Sequence, residues 1–157
     1  MWIKRLLKFG RPDAPRVVVD TNVLISGTIV TVGASARIVD AALDRWLCLV
    51  TCVPLLGEYT QVVRRPHLAR KYPKIAQRID DLVGYLQGRA IVVGGVPQEP
   101  FILADPDDDM VIATALEGRA AYIVSGDKHL LELKQFRGIR ILNPRDFVVQ
   151  VLKEPIS

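Results

Sequence analysis

Four acids, far apart in the sequence, are the residues best suited to act together: Asp20, Glu58, Asp109 and Asp127. Carboxylates that meet in one pocket repel and raise one another's pKa unless a cation neutralises them. Oxygen donors without clustered His or Cys select Mg²⁺ or Mn²⁺. Such an ion activates a bound water and stabilises charge on a phosphoryl oxygen. If the four acids converge, the pattern predicts a divalent-metal site suited to phosphodiester hydrolysis.

Taken one at a time, three of these acids also have ordinary structural interpretations. Asp109 could only cap a helix, where a carboxylate favourably meets the helix dipole. Glu58 could be an exposed helix residue, and Asp127 could end a strand in a turn. Asp20 is different, because it follows three valines with no evident structural need for a charge.

The stretch ADPDDDMVIATA, residues 104–115, places four acids within five positions and continues as an apolar, helix-like run. We expect a helix that begins at Asp109 and presents this carboxylate to the site. Asp108 is the rival for the same role. Asp105 could share that face only if the helix began sooner, because Pro106 is tolerated only in a first turn.

Short aliphatic runs alternate with amphipathic segments along most of the chain. Strands are predicted at 17–20, 47–53, 90–95, 120–127 and 139–144, and helices within 34–46, 54–65, 73–87, 109–117, 127–136 and 145–153. This alternation predicts an α/β fold, a three-layer α/β/α sandwich around a mainly parallel sheet of about five strands. Ligand sites of such sheets lie beyond the carboxyl ends of the strands, where Asp20 and Asp127 fall.

The chain of 157 residues is 50% hydrophobic and only 6% aromatic, which indicates one domain with an aliphatic core. We expect a basic N-terminal arm over residues 1–15, followed by a domain over 16–157. The arm is either a solvated tail or a segment that lies on a membrane or nucleic acid. No apolar run approaches the ~20 residues of a membrane span, so we expect no stable membrane insertion. Cys48 and Cys52 lack further zinc ligands at a recognisable spacing, and thiols in a reducing cytosol are the favoured interpretation.

A run of cations between residues 64 and 78 contains no acid. Such a segment attracts phosphate backbones, and Tyr72 within it could stack on a base. The alternative is an ordinary solvated face, although such faces usually mix both signs of charge. The candidate RNA-binding residues are Arg64, Arg65, Arg70, Lys71 and Lys74.

Four motifs occur in order along the chain: VVVDTNVLISG, the Glu in PLLGEYTQVVRRP, DPDDDMVIATALEGRAAYIVSGDKHLL, and GIRILNPRDF. Over about residues 16–150 they resemble the PIN-domain proteins, in particular the VapC-like toxin components of prokaryotic toxin–antitoxin systems. It implies a Rossmann-like sandwich and a Mg²⁺- or Mn²⁺-dependent endoribonuclease that cleaves single-stranded RNA. It also implies a cytoplasmic homodimer that an antitoxin protein holds inactive.

The resemblance also assigns roles to residues. Asp20 and Asp109 would be the principal metal ligands and Asp127 the last acid, with Asp109 preferred over Asp108 because it directly precedes MVIATA, as the family's third acid does. Glu58 would complete the site or orient the attacking water.

Asn22 and Ser125 would support the site, Asn22 by a hydrogen bond to Asp20. Many toxin-type members read T-R-N-x-x-D-F where this chain reads SGDKHLL, so Asp127 occupies their Asn position and Leu130 their Asp position.

Two other functions compete with this interpretation. An aspartyl-phosphate phosphatase needs a second Asp two residues after the first, and Asn22 stands there. A PIN fold that binds RNA or a partner without catalysis is the stronger alternative. Retention of all four acids argues against it, because loss of an acid is the expected mark of lost catalysis.

Overall fold

The computed structural model describes residues 13–97, 99 and 105–154. Most of the predicted N-terminal arm therefore lies outside the described residues. Within them, no single helix is long and apolar enough to cross a membrane; only two consecutive helices, Thr21–Ile29 and Ala34–Leu43, bent by 92°, meet the length and composition of a span together.

The centre of the fold is one six-stranded, mostly parallel sheet. Its strands are β1 (Arg16–Val19), β2 (Cys48–Cys52), β3 (Ile91–Val93), β4 (Tyr122–Val124), β5 (Gln135–Phe136) and β6 (Ile139–Leu142), in the order β3-β2-β1-β4-β6-β5. β1 lies in the middle and pairs in parallel with β2 and β4, whereas β5 runs antiparallel to β6. The predicted α/β fold with a mainly parallel sheet is confirmed.

The sheet has one strand more than predicted. Gln135 and Phe136 were expected to end a helix, but Lys134 takes a positive φ of 60° and stops it. Gly138, with φ of 86°, then turns the chain back so that β5 pairs with β6. Two residues of strand carry too little periodicity to be distinguished from a helix end.

Helices cover both faces of the sheet. They are α1 (Thr21–Ile29), α2 (Ala34–Leu43), α3 (Val53–Val63), α4 (Pro66–Lys71), α5 (Ala76–Gly88), α6 (Pro106–Glu117), α7 (Lys128–Leu133) and α8 (Pro144–Phe147), with a 3-10 turn at Pro73–Ile75 and a π-helical turn at Val148–Leu152. Successive residues of a strand point to opposite faces. Val17 and Val19 accordingly join a core with α1, α2, α3 and α5, while Val18 joins a second core with α6 and α7. Two cores on opposite faces make the predicted three-layer sandwich.

The first helix, α1, was not predicted, because TNVLISGTIV mixes β-branched and small residues without a clear helical period. Gly27 explains how it packs. A Cβ at this position would collide with the backbone carbonyl of Ser35 at the start of α2 and would lie 2.8 Å from Val39 Cγ2. The missing side chain lets α1 and α2 touch and keeps the start of α1, next to Asp20, against the sheet.

The helix that follows the acidic stretch begins earlier than predicted, at Pro106 instead of Asp109. Proline is preorganised for the first helical position, and Asp105 caps the helix by accepting a 2.9 Å hydrogen bond from the Asp107 backbone N–H. Asp107, Asp108 and Asp109 therefore occupy the first turn of α6, where the helix dipole favours negative charge.

Candidate functional site

A pocket of about 240 Å³ opens at the carboxyl edge of the sheet. β1 and β4 are parallel neighbours with Val19 opposite Val124, so Asp20 and Asp127 follow strands that end side by side. The helices α3 and α6 contribute the other walls. The lining residues are Asp20, Asn22, Pro54, Leu55, Glu58, Asp105, Asp107, Asp108, Met110, Val111 and Asp127.

Ser125 joins the acids of the two central strands. Its side chain is fully buried, and its hydroxyl donates a 2.7 Å hydrogen bond to Asp20 Oδ2. The same oxygen, Oγ, accepts a 3.0 Å hydrogen bond from the Asp127 backbone N–H. Burial raises the pKa of Asp20, and the Ser125 hydroxyl partly opposes this rise. The structure thus places Ser125 beside the pocket, in contact with Asp20.

Asp127 and Asp105 are each held by the helix that follows them. Asp127 caps α7 and accepts a 2.8 Å hydrogen bond from the His129 backbone N–H through Oδ1. Asp105 uses its Oδ1 in the same way at α6. These bonds fix the two carboxyl groups at the pocket before any ligand arrives.

Asp108 is the least solvent-exposed acid of the pocket. Only 4% of the residue is exposed, and its Oδ2 is buried without a hydrogen-bond partner. Burial, followed by the negative charges of Asp127, Asp105 and Asp20, raises the pKa of Asp108 to about 6. A buried carboxylate oxygen without a donor is strongly disfavoured, and a cation in the pocket would remove that penalty.

Asp109 is also buried, with 7% exposure, but it does not line the pocket. Adjacent residues of an α-helix point about 100° apart, so α6 cannot direct Asp108 and Asp109 into one cavity equally. The geometry favours Asp108 over Asp109, and the choice between them as metal ligand stays a prediction.

Glu58 and Asn22 lie at the exposed rim of the same pocket. A buried hydrogen bond of 2.8 Å between the Thr28 and Tyr59 hydroxyls ties α1, which carries Asn22, to α3, which carries Glu58. Thr28 also donates to the Leu24 carbonyl at 2.7 Å, so the Tyr59 hydroxyl is the donor of the shared bond. The Asn22 backbone N–H interacts with the Asp20 carboxylate and helps to lower its pKa, whereas no hydrogen bond joins the Asn22 side chain to Asp20 among the described residues.

Asp105 and Asp107 line the pocket although the sequence did not assign them a role. The available signal was Pro106, which allows a helix to begin one residue after Asp105. One carboxylate oxygen from each of Asp105, Asp108 and Asp127 lies within 4.8 Å of the other two, a spacing that could hold one metal ion. The donors are all hard oxygen atoms, which fits the predicted Mg²⁺ or Mn²⁺.

The basic segment, residues 64–78, contributes no cation to the lining of this pocket. The predicted residues Arg64, Arg65, Arg70, Lys71 and Lys74 are all exposed, at the end of α3, in α4 and in the 3-10 turn. Arg64 Nη2 lies 3.5 Å from Asp80 Oδ1, and the Lys71 ammonium lies 5.3 Å from the centre of the Tyr72 ring. Tyr72 packs partly against the core, which limits the ring face it can offer a base.

Arg78, the last cation of the basic run, has a structural role. Its guanidinium donates to the Gly27 and Ala36 carbonyls and forms a 2.6 Å ion pair with Asp40. Arg78 thereby ties α5 to the corner between α1 and α2.

Comparison with known proteins reveals similarity at the level of family, of sequence and of structure. A family model described as PIN domain matches residues 16–129 of this chain. "Uncharacterized protein MJ1680" of Methanocaldococcus jannaschii is 27% identical over 147 residues, which cover 88% of this chain and 92% of that protein. The crystal structure of VapBC2 from Rickettsia felis, bound to a DNA fragment from their promoter, is similar at a TM-score of 0.49 with 13% identity, covering 82% of this chain and 98% of that one.

Proposed function

The chain belongs to the PIN domain family, and we propose that it is a Mg²⁺- or Mn²⁺-dependent endoribonuclease that cleaves single-stranded RNA. The carboxylate pocket would be its active site. The observation that carries the proposal is the Asp108 oxygen, which is buried without a partner among five other pocket acids. A divalent cation is the group whose chemistry matches that environment.

In this proposal each pocket residue has a separate role in metal binding or catalysis. Asp20, Asp108 and Asp127 hold the ion, with Asp109 as the alternative to Asp108. When bound, the ion supplies an activated water and stabilises negative charge on the scissile phosphate. Glu58, exposed at the rim, orients the attacking water.

Ser125 keeps Asp20 in place through its 2.7 Å hydrogen bond. Hydrolysis at the 3′ oxygen would leave a 5′-phosphate and a 3′-hydroxyl.

The exposed cations between residues 64 and 74 support a nucleic-acid substrate, because they form a positive surface at the end of α3, in α4 and in the 3-10 turn that follows. α3 carries both Glu58 and, at its end, Arg64, about 9 Å further along the helix axis at 1.5 Å per residue. A strand of RNA whose phosphates contact this segment would lie within reach of the pocket.

The biological setting proposed here rests on the sequence resemblance. The chain would be the toxin of a toxin–antitoxin pair, a cytoplasmic homodimer inhibited by its antitoxin protein. The motifs DTNVLISG, DPDDDMVIATA and SGDKHLL carry that resemblance.

The direct test is cleavage of single-stranded RNA by the purified chain with Mg²⁺ or Mn²⁺, with and without EDTA. We expect cleavage that EDTA abolishes and that Asp20→Asn lowers by at least about a hundredfold, because loss of a principal ligand removes the ion's contribution to the transition state. Asp81→Asn on α5 is the matched control, since that exposed carboxylate accepts a hydrogen bond from Gln77 that Asn can also accept. Undiminished cleavage in Asp20→Asn would refute the active site. RNA binding by the wild type without cleavage would favour the non-catalytic alternative.

A further inference from the structure

The first acid of the DPDDD stretch occupies an unusual position for a residue that only caps a helix. Asp105 precedes Pro106 and satisfies the Asp107 backbone N–H through Oδ1. A solvated loop carboxylate would serve as well for that purpose. Asp105 instead lines the pocket, on the same wall as Asp108.

The spacing of oxygen atoms separates Asp105 from the other pocket acids. It forms a compact triplet with Asp108 and Asp127, each offering one oxygen within 4.8 Å of the others. Asp20 lines the same pocket, but its Oδ2 is engaged by the Ser125 hydroxyl and it is not part of this triplet. Two acids three residues apart, one capping α6 and one in its first turn, therefore face Asp127 across the pocket.

A second observation points to a cation at this triplet. Only 4% of Asp108 is exposed, and its Oδ2 accepts no hydrogen bond from the described residues. Three carboxylates held this close repel one another strongly unless a positive charge lies between them. A divalent cation would satisfy the unpartnered oxygen and the repulsion together.

We propose that Asp105 binds the divalent cation directly, in addition to the proposed ligands Asp20, Asp108 and Asp127. This inference rests on the proposed metal-dependent function and adds a ligand that the sequence did not predict. In the stretch DPDDD, Pro106 fixes the start of α6. Asp105 and Asp108 would therefore bind the ion from the same side. Asp127 approaches it from the end of β4.

The test is isothermal titration of the full chain with MnCl₂, after treatment with EDTA and dialysis. Asp105→Asn is the informative variant, because Asn caps a helix about as well as Asp while removing the charged oxygen. Asp105→Ser is the second variant, since Ser also caps. Asp107→Asn is the matched control: it removes one charge from the same pocket wall, but Asp107 is exposed and outside the triplet.

We expect both Asp105 variants to bind Mn²⁺ at least about a hundredfold more weakly than the wild type, because the loss of a partner that acts only indirectly costs about 10- to 100-fold. Asp107→Asn should weaken binding by about threefold or less, the scale of a screened surface charge. Equal losses in Asp105→Asn and Asp107→Asn, or no loss in either Asp105 variant, would overturn direct binding while leaving the metal site intact. Absence of Mn²⁺ binding by the wild type would overturn both this inference and the proposed metal dependence.

Discussion

The Asp108 carboxylate is costly to ionise when no cation is bound. Its pKa rises from 3.8 to about 6 because of burial and three neighbouring acids. At pH values between these two pKa values, Asp108 binds a proton more tightly in the folded protein than in the unfolded chain. This contribution to the free energy of unfolding is therefore fully present below about pH 4 and is lost as the pH rises through about 6.

Replacing Asp108 should stabilise the cation-free protein. In EDTA at about pH 7.5, we expect Asp108→Asn to raise the free energy of unfolding by about 1–3 kcal/mol, because the neutral amide avoids the buried charge. The variant should also lose most of the decrease in stability between about pH 5 and about pH 7.5 that the wild type shows. Urea denaturation at the two pH values measures both effects. A destabilised variant, or a variant with the same pH dependence as the wild type, would show that ionisation of Asp108 does not destabilise the folded protein.

The sequence was sufficient to predict that several acids meet in one pocket, but not to predict how each carboxyl group is oriented there. Asp20, Glu58 and Asp127 could be assigned to one pocket because strand ends and the helices that follow them share an edge of the sheet. Asp108 and Asp109 could not be separated, since their difference is a rotation of about 100° that depends on where the helix starts. That start is set by Asp105 and Pro106, whose capping geometry only the fold shows.

At the scale of helices and strands, close packing of α1 on α2 keeps Asp20 at the pocket. Gly27 leaves no room for a Cβ beside the Ser35 carbonyl, and Arg78 fastens the same corner by donating to the Gly27 carbonyl at 2.7 Å. Such tertiary contacts explain why α1 is helical although its sequence has no amphipathic period. They depend on residues far apart in the chain and are invisible to local patterns.

Adding one methyl group at this contact should be damaging. We expect Gly27→Ala to lower the free energy of unfolding by about 1–3 kcal/mol, because the new Cβ collides with backbone that cannot move freely. Gly84→Ala in α5 is the control, since no atom lies within 4 Å of a Cβ there. That change should stabilise the protein by about 0.5–1 kcal/mol through the better helix propensity of alanine. Equal effects in urea denaturation would contradict the proposed close contact.

Over the whole molecule, charge is divided between two surfaces. The net charge is +4, yet six acids line one pocket while cations dominate residues 64–74. A polyanion would be repelled by the pocket without a cation and attracted by the basic segment. We therefore expect the segment to provide most of the affinity for RNA and the pocket to provide the chemistry.

Neutralising the basic segment should change how RNA binding depends on salt. With Arg65, Arg70 and Lys71 replaced by Gln, the slope of log affinity against log salt should fall by about 2, because each lost phosphate contact on a single strand removes about 0.7. Arg64 is left in place because it faces Asp80. Replacement of the exposed cations Arg89, Arg119 and Arg145 is the control. If the two triple variants have equal slopes of log affinity against log salt, residues 64–74 are an ordinary solvated surface and not an RNA-binding segment.

The central claim is that the acid pocket at the carboxyl edge of the sheet is a divalent-metal centre. Anomalous scattering from crystals soaked in MnCl₂ tests it most directly, because the signal shows both the ion and its ligands. We expect an Mn²⁺ peak within about 2.5 Å of oxygen atoms of Asp108 and Asp127 in wild-type crystals, and no such peak in Asp108→Asn crystals. A pocket without Mn²⁺ in wild-type crystals, or an ion bound elsewhere on the chain, would contradict it.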